Sequence, residues 1–216
     1  MNGAEDAAPG DAPRLLIFPC NGNAIESLDC ICDAYRLIGF VDDTPQKQGS
    51  TVAGHAVHPR SALHRWPDAK VLAVPGSPRS YLQRRALIDG LEIDADRWAR
   101  VIHPTARVSP LATVGYNVLL MAGVVVTSNA VIGNHVCVLP NTVIHHDARI
   151  GDWSLIGSNV TIAGNTSIGD NCYIASGSTI MDGLTIGAST LVGLGSTVIR
   201  SAAVGSRIAG NPAQPV

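Results

Sequence analysis

The sequence predicts a triangular, all-β parallel β-helix that follows a small N-terminal α/β domain. Every sixth residue from Ile102 to Val204 is Ile, Val or Leu, eighteen times in succession. The fourth residue after each of these aliphatics is mostly small, and before residue 100 apolar segments of strand and helix character alternate. A helix repeats every ~3.6 residues and a strand every ~2, so neither holds a six-residue register for so long.

The six-residue repeat is typical of short strands joined by tight corners. Three such rungs complete one coil of a prism, so residues eighteen apart are expected to be neighbours in space. The third residue after the core aliphatic is Asn, Asp or Gly in eleven of the eighteen rungs, which suits left-handed backbone at a corner. Glycine directly follows the core residue at every eighteenth position and is expected to line one edge, at Gly115, Gly133, Gly151, Gly169, Gly187 and Gly205.

The corresponding places on the other two edges hold larger side chains. Met121 and Leu139 stand on one edge, and Met181 and Ile199 on the other. Exposed apolar side chains on a flat face indicate a partner surface. Because closed three-fold packing suits a triangular prism, we expect a homotrimer.

The segment before the repeat predicts a small parallel sheet with helices. Its expected strands and helices are 15–18, 24–36, 37–41, 71–74 and 80–90, with a polar loop over 46–54. We place the boundary near Arg100, which gives an α/β domain over residues 13–100 and a β-helix over 101–216. Residues 1–12 contain Glu, Asp, Gly and Pro without an apolar stretch and are expected to be a disordered tail.

Composition excludes several classes of function. The net charge is −2, and the chain has no basic run or aromatic–basic stripe that would bind nucleic acid. Five cysteines form no CxxC pair, which favours a reducing compartment. The longest apolar run, 118–126, is far shorter than the ~20 residues that span a bilayer. We therefore expect a soluble, cytoplasmic protein that does not contact membranes.

One cluster in the repeat offers chemistry. His145, His146 and Asp147 bring imidazole next to carboxylate, and eighteen residues after His146 comes Gly164. A bare glycine amide beside a base is what an oxyanion site needs during acyl transfer. His135 and His103 are expected to be structural. Arg79, Arg84 and Arg85 are expected to form a solvated helix face, with phosphate contacts as the alternative. Trp153 is expected at an exposed corner, where it packs against another subunit or the substrate.

Five stretches together resemble the bacterial sugar acyltransferases of the sialic acid O-acetyltransferase family (NeuD/PglD type). They are spread over nearly the whole chain: Gly-Phe-Val-Asp-Asp at 39–43, Val-Ile-His-Pro at 101–104, His-Asp-Ala-Arg-Ile-Gly-Asp at 146–152, Ala-Gly-Asn at 163–165 and Ala-Gly-Asn-Pro-Ala at 209–213. The resemblance implies a Rossmann-like domain joined to a trimeric, left-handed β-helix. It also implies an acetyl-CoA site between two subunits and no metal.

The resemblance assigns roles to individual residues. His146 matches the general base that takes a proton from the sugar amine or hydroxyl, and Asp147 matches the carboxylate that orients it. Gly164 matches the glycine whose amide faces the thioester carbonyl. Ala163 and Leu155 are assigned to the acetyl-CoA site; Leu155 stands where many members have a second histidine.

The nucleotide-sugar site is expected at the first turn of the α/β domain. The family's turn is usually rich in glycine, whereas this chain has Pro-Cys-Asn-Gly-Asn-Ala at 19–24. Asn21, Gly22 and Asn23 are the candidates there. Asp42, with Asp43 beside it, lies twenty residues beyond Gly22, a spacing at which a carboxylate meets a ribose. His145 is a further candidate for substrate contact.

The sequence therefore predicts an acetyl-CoA-dependent N-acetyltransferase acting on a nucleotide-linked amino-deoxy sugar, in the synthesis of a surface polysaccharide. Alternatives in the same class are O-acetylation and transfer of another acyl group. Two remote alternatives are a zinc protein similar to the γ-type carbonic anhydrases, which share the β-helix, and a trimeric scaffold without activity.

Overall fold

The computed structural model of the protein describes residues 12–216. The tail expected over residues 1–12 lies outside the described residues apart from Ala12. The chain forms an α/β sheet domain and then a triangular parallel β-helix. The two parts pack against each other and share an apolar core. No helix among the described residues combines the length and the apolar character that a membrane crossing requires.

The α/β domain is built on a five-stranded sheet. In spatial order its strands are Thr51–Val52 (β3), His55–His58 (β4), Arg36–Val41 (β2), Arg14–Phe18 (β1) and Lys70–Ala73 (β5). Strand β1 lies between β2 and β5 and is parallel to both, while β3 and β4 form an antiparallel hairpin. The elements are β1 (Arg14–Phe18), α1 (Gly22–Glu26), α2 (Leu28–Ile31), β2 (Arg36–Val41), β3 (Thr51–Val52), β4 (His55–His58), α3 (Ala62–Arg65), β5 (Lys70–Ala73) and α4 (Arg84–Asp89). Short 3₁₀ turns stand at Cys32–Ala34, Tyr81–Gln83 and Ala95–Arg97.

Two local predictions for this domain need correction. The helix expected over 24–36 is split into α1, α2 and a 3₁₀ turn, because Cys32 has φ 41° and ends the helical path. The loop expected over 46–54 contains β3 and leads into β4, which extends the sheet beside β2. A two-residue strand is too short for a hydrophobic alternation to reveal it in the sequence.

The β-helix has three flat faces of parallel strands, two or three residues long in the regular coils. Face 1 comprises β6 (Arg100–Ile102), β9 (Val118–Leu120), β12 (Cys137–Val138), β15 (Leu155–Ile156), β18 (Tyr173–Ile174), β21 (Leu191–Val192), β23 (Arg207–Gly210) and β24 (Ala213–Pro215). Face 2 comprises β7 (Arg107–Val108), β10 (Val125–Val126), β13 (Val143–Ile144), β16 (Thr161–Ile162), β19 (Thr179–Ile180) and β22 (Thr197–Val198). Face 3 comprises β8 (Thr113–Val114), β11 (Val131–Ile132), β14 (Arg149–Ile150), β17 (Ser167–Ile168) and β20 (Thr185–Ile186).

The predicted eighteen-residue coil is confirmed by the strand register. Ile144 pairs with Ile162 on face 2, and Ile150 with Ile168 on face 3. These aliphatics fill the inside of the prism and are almost fully buried. Between them, buried hydroxyls donate to backbone carbonyls, mostly of the next coil, as Ser178 Oγ does to Gly193 O at 2.9 Å, so the hydroxyls of this row are paired.

The last coil departs from the predicted register. Val204, expected in the core, is 74% exposed, and Ile186 pairs with Ala202. Leu191 then pairs with Arg207, so the final circuit is two residues shorter than the regular coil. The continuous aliphatic pattern concealed this change because Val204 still fits the six-residue period.

The α/β domain covers face 1 of the prism. Met121 is 2% exposed and packs with Leu119, Cys137 and residues of the α/β sheet. The expectation that the edge of Met121 and Leu139 is an exposed partner surface is therefore wrong, since the chain's own domain covers it. Met181 and Ile199, on the second edge, are exposed as expected, at 45% and 42%.

Candidate active site

His146 and Asp147 form a hydrogen-bonded pair at the corner between faces 2 and 3. We call this corner, residues 127–129, 145–147, 163–165 and 181–183, the histidine edge. His146 Nδ1 lies 2.8 Å from Asp147 Oδ2. An ionised carboxylate can only accept, so the Nδ1 atom carries the proton and Nε2 is left with its lone pair. Nε2 is therefore the atom that can take up a proton.

Asp147 is itself fixed from the neighbouring coil. Its Oδ1 accepts from Asn129 Nδ2 at 3.1 Å, and its φ of 61° is the left-handed corner conformation. The hydrogen bond from His146, followed by the bond from Asn129, holds the pKa of Asp147 below its usual value. The carboxylate thus stays ionised and orients the imidazole.

Gly164 lies directly against the imidazole, as the spacing of eighteen residues predicts. A Cβ placed on Gly164 would stand 2.6 Å from His146 Cε1 and 2.7 Å from Nε2. The backbone is tied to the same coil, because Asn165 N donates to His146 O at 3.0 Å. A glycine at this position leaves room for the imidazole, which lies against the buried backbone of Gly164.

The Gly164 N–H makes no hydrogen bond within residues 12–216. Its carbonyl accepts from Gly183 N at 3.0 Å, so only the donor is open. An unpaired N–H next to a histidine base has the composition of an oxyanion site. This donor and the base come from adjacent coils of one chain.

Two other predicted residues lie next to this pair. His145 is partly exposed and its N–H donates to Ile162 O at 2.9 Å, while the N–H of Ala163 donates to Ile180 O at 3.1 Å. Both residues follow the core aliphatic on face 2. They border the space in front of His146 and can contact a ligand there.

Leu155 does not lie at this corner. It belongs to face 1, is 3% exposed, and its Cδ2 lies 3.9 Å from a Cβ built on Gly76 of the α/β domain. The prediction that Leu155 contacts acetyl-CoA is corrected, because its side chain is covered by the chain's own α/β domain.

A second candidate region lies at the carboxyl ends of β1 and β5. We call it the strand-end cleft; it has a volume of about 420 Å³ and is lined by Pro19, Asn21, Gly22, Asn23, Pro75, Gly76, Ser77, Ser80 and Leu87. After β1 the chain continues to β2, which pairs with one side of β1, and β5 later pairs with the other side of β1. Ligands of open α/β sheets bind at such a switch point.

Asn21 shapes the cleft rather than pointing freely into it. Its Oδ1 accepts from Ala24 N at 2.9 Å and caps α1, and its Nδ2 donates to Val74 O at 3.2 Å. Gly22 is exposed and Asn23 partly exposed, so these two residues present the first turn to a ligand.

Asp42 is buried and its oxygens are occupied. It accepts from Cys20 N at 3.0 Å, from Thr44 N at 2.9 Å and from Lys47 Nζ at 2.9 Å. Burial acts to raise its pKa, but the hydrogen bonds outweigh it and lower the pKa. A ribose contact is not supported for this carboxylate, because it holds the turn together.

Asp43 is exposed and pairs with Arg60. Lys47, which sequence reasoning did not single out, lines an adjoining cleft with Asp42 and Asp43. Its ammonium is partly exposed and also donates to Cys20 O at 2.7 Å. A lysine in a polar loop carries no distinguishing signal in one sequence, and only the folding of this loop over the sheet edge reveals it.

The predictions for Arg84 and Trp153 also need correction. Arg84 is fully buried between the two parts of the chain, not solvated. Trp153 stacks on His135 at 5.6 Å between ring centroids and lies under the Arg85 guanidinium, so it packs within the chain at the domain junction. His135 is 5% exposed, in agreement with a structural role. Over residues 12–216, no group of three or more His, Cys, Asp or Glu side chains could hold a metal ion.

Part of the β-helix matches a family model. Residues 129–164, which include His146 and Gly164, match the family model described as bacterial transferase hexapeptide (six repeats). This stretch is therefore similar to bacterial transferase hexapeptide repeats, and it lies in the prism that carries the α/β domain on one face.

Solved structures extend this similarity over nearly the whole chain. Perosamine N-acetyltransferase from Caulobacter crescentus, a histidine-to-asparagine mutant in complex with CoA and GDP-perosamine, is 27% identical, with a TM-score of 0.81 over 95% of this chain and 97% of that chain. The acetyltransferase domain of PglB from Neisseria gonorrhoeae, in complex with acetyl coenzyme A, is 25% identical, with a TM-score of 0.83 over 95% and 100%. WeeI from Acinetobacter baumannii, at 23% identity and a TM-score of 0.81 over 95% and 100%, shares the fold.

No curated protein sequence matches the chain. The structural matches nevertheless confirm the resemblance to sugar acyltransferases that the motifs predict.

Proposed function

We propose that the protein is an acetyl-CoA-dependent N-acetyltransferase whose acceptor is a nucleotide-linked amino-deoxy sugar. The observation that carries the proposal is the contact of His146 with the bare backbone of Gly164, beside Asp147. The resemblance to enzymes solved with CoA and GDP-perosamine or with acetyl coenzyme A supports the choice of donor and acceptor.

His146 acts as the general base. Asp147 fixes the imidazole tautomer, so Nε2 removes a proton from the sugar amine as its nitrogen attacks the thioester carbonyl. The new N–C bond forms, the C–S bond breaks, and the proton held on Nε2 passes to the departing sulfur of CoA. No acyl-enzyme is needed, since both substrates are bound together.

Gly164 and its neighbours form the donor site. The free N–H of Gly164 is placed to stabilise the oxygen that becomes negative when the amine attacks. Ala163 is small and leaves the pantetheine arm a path along the histidine edge. Acetyl-CoA thus lies on this edge, with its carbonyl at Gly164.

The strand-end cleft is the proposed acceptor site, with Gly22, Asn23 and Asn21 at the first turn and Asp43 nearby. The α/β domain is then the Rossmann-like, nucleotide-sugar domain of residues 13–100, and residues 101–216 form the left-handed acyltransferase β-helix. Face 1 carries the α/β domain, whereas His146 lies at the edge opposite that face. The cleft of one chain therefore serves the histidine edge of another, which agrees with a homotrimer.

The remaining proposals concern the setting of the reaction. The substrates are small, charged molecules of the cytoplasm, and acetylation of an amino sugar precedes its transfer into a surface polysaccharide. We accordingly place the enzyme in the cytoplasm as a soluble homotrimer, which sedimentation of the full chain would test.

A thiol-release assay tests the central proposal. Acetyl-CoA is combined with nucleotide-linked amino sugars, including GDP-perosamine, and with analogues that carry a hydroxyl in place of the amine. We expect release with an amino sugar only. Release with the hydroxyl analogue alone would reassign the enzyme to O-acetylation, and no release with any acceptor would refute the proposal.

His146→Asn is the matched variant for the same assay, with His103→Asn as control. His146→Asn should lower kcat/KM by about 10²- to 10⁴-fold, the usual contribution of a general base. His103 bonds Thr105 at 2.8 Å and lies away from the histidine edge, so its replacement should leave activity within about twofold. Equal effects of the two substitutions would exclude His146 as the base.

A further inference from the structure

Arg84 is a cation held without a counter-ion between the two parts of the chain. It is 0% exposed, and its guanidinium donates to Pro75 O and, at 2.7 Å, to His135 O. Among the described residues no carboxylate pairs with it, and its Nε–H has no acceptor. Burying a charge this way costs folding free energy, so the two bonds it makes call for an explanation beyond stability.

A second tie runs parallel to the first. Asn117, one coil before His135, accepts from Ala73 N at 2.7 Å and donates to Ala73 O at 3.2 Å. Its Nδ2 also lies 2.9 Å from His135 Nδ1. Asn117 and His135 stand on the same edge of the prism in successive coils. Together with Arg84 they bind Ala73, the last residue of β5, and Pro75, two residues further on. We call this set of residues, Ala73, Pro75, Arg84, Asn117 and His135, the junction clamp.

The junction clamp sits directly behind one wall of the strand-end cleft. Pro75, which Arg84 binds, begins the segment of Pro75, Gly76, Ser77 and Ser80 that faces Gly22 and Asn23 across the cleft. Gly76 packs against Arg84, since a Cβ on it would lie 3.7 Å from Arg84 Cδ. The position of this wall relative to the prism is therefore held by the Arg84 guanidinium, together with the bonds of Asn117 to Ala73.

We propose that Arg84 is a positioning residue for the acceptor, which fixes the wall of the strand-end cleft in register with the β-helix. The proposal rests on the proposed function, because that places the nucleotide sugar in this cleft. A guanidinium suits the task, since its planar fork reaches two carbonyls in different directions, whereas an ammonium on a flexible stem cannot hold both.

The test compares Arg84→Lys with Arg85→Lys in the full chain. Arg85 is the adjacent residue, exposed and stacked over Trp153 at 4.5 Å, and provides a matched control. With Arg84→Lys we expect KM for the nucleotide sugar to rise about tenfold and KM for acetyl-CoA to change by less than about twofold. Arg85→Lys should change neither.

Hydrogen exchange gives a readout that does not depend on activity. Amides of residues 76–80 should exchange at least about fivefold faster in Arg84→Lys, while those of 143–168 remain unchanged. If Arg84→Lys does not fold, Asn117→Asp weakens the parallel tie with nearly the same shape, because it removes the donor to Ala73 O and keeps the acceptor for Ala73 N, and it carries the same expectations.

Separate outcomes distinguish the two proposals. Unchanged exchange at 76–80, or equal changes in both KM values with a lowered Tm, would overturn the positioning role and leave Arg84 as structural. Absence of thiol release in the unmodified protein would refute the proposed function, while the exchange measurement would still decide whether Arg84 fixes the wall.

Discussion

Two edges of the same prism share one backbone and differ in how their donors are used. We call the corner between faces 3 and 1 the glycine edge, after Gly115, Gly133, Gly151, Gly169 and Gly187. There Asn134 accepts from Tyr116 N at 3.1 Å, Asp152 from Asn134 N at 2.7 Å and Asp170 from Asp152 N at 2.9 Å. In three successive steps, a side chain of one coil thus caps a backbone donor of the coil before it.

The histidine edge lacks such caps in the middle of the prism. The residue that could cap the His146 N–H is Gly164, which has no side chain, and the one that could cap Gly164 is Asp182. Asp182 is exposed, and no hydrogen bond joins it to the Gly164 N–H within the described residues. The two edges therefore differ in their free donors: backbone N–H groups are capped on the glycine edge, whereas the Gly164 N–H on the histidine edge is left open for the proposed reaction.

The largest contrast is expected from the same substitution on the two edges. A Cβ on Gly151 would meet the backbone, at 2.6 Å from Asp170 N and from Gly169 C. Gly151→Ala should lower the free energy of unfolding by about 3 kcal/mol, in the range of overpacked cores, as thermal unfolding would show.

Gly164→Ala should act on activity instead. The new methyl group meets an exposed imidazole that can turn away, so Tm should fall by less than about 3 °C. Displacement of His146 should lower kcat/KM about 100-fold in the thiol-release assay. If Gly164→Ala unfolds the protein and Gly151→Ala does not, the assignment of the two edges is reversed.

Acid should weaken the glycine edge through His135. Burial, and then the charge of Arg84, lowers the pKa of His135 to about 4, against the opposing effects of Asp152 and Asp89. The unfolded chain, with a pKa near 6.5, then binds more protons than the folded chain between pH 6.5 and 4. Stability is present above this window and is lost as pH falls through it, by up to about 2 kcal/mol between pH 7 and 5.

His135→Asn separates this contribution from the other titrating groups. Asparagine tolerates the left-handed corner, where His135 has φ 59°, and does not titrate. Denaturant unfolding of the variant at pH 7 and pH 5 should show a smaller difference than in the unmodified protein. An equal difference would mean that His135 does not sense pH.

Breaking the capping row should have a moderate effect on stability. Asp152→Ala leaves the Asn134 N–H without its acceptor and should cost about 1.5 kcal/mol, the usual penalty for a lost partner. Asp182→Ala, one rung of the other edge, should change stability by less than about 0.5 kcal/mol. Urea midpoints of the two variants, compared side by side, provide the measurement.

A modest loss of activity is expected at Asp147. Asp147→Asn keeps an acceptor for Asn129 or for His146 but removes the charge that stabilises an imidazolium. We expect kcat to fall about tenfold, which corresponds to ~1.4 kcal/mol, with KM for acetyl-CoA unchanged. A change in KM alone would assign Asp147 to binding instead of base orientation.

The repeat allowed the prism and the histidine edge to be predicted from the sequence, whereas the domain junction could not be predicted. Residues one coil apart are neighbours by arithmetic, so the contact of His146 with Gly164 follows from counting. The docking of the α/β domain on face 1 depends on the complementary shapes of the two surfaces, which leave no periodic pattern in the sequence. The burial of Arg84, Met121 and Leu155 could therefore not be read from the sequence.

The inward row of hydroxyl groups, from Thr142 to Ser196, has a consequence for how this chain can change its length. All of them but Ser196 bond a carbonyl of the next coil, as Ser154 Oγ does to Gly169 O at 3.0 Å, whereas Ser196 bonds Gly193 O, three residues before it. A deletion of six residues would turn everything downstream by a third of a revolution, while removal of eighteen would only shorten the stack. Length variants of this architecture are thus restricted to whole revolutions, with irregular steps confined to its ends.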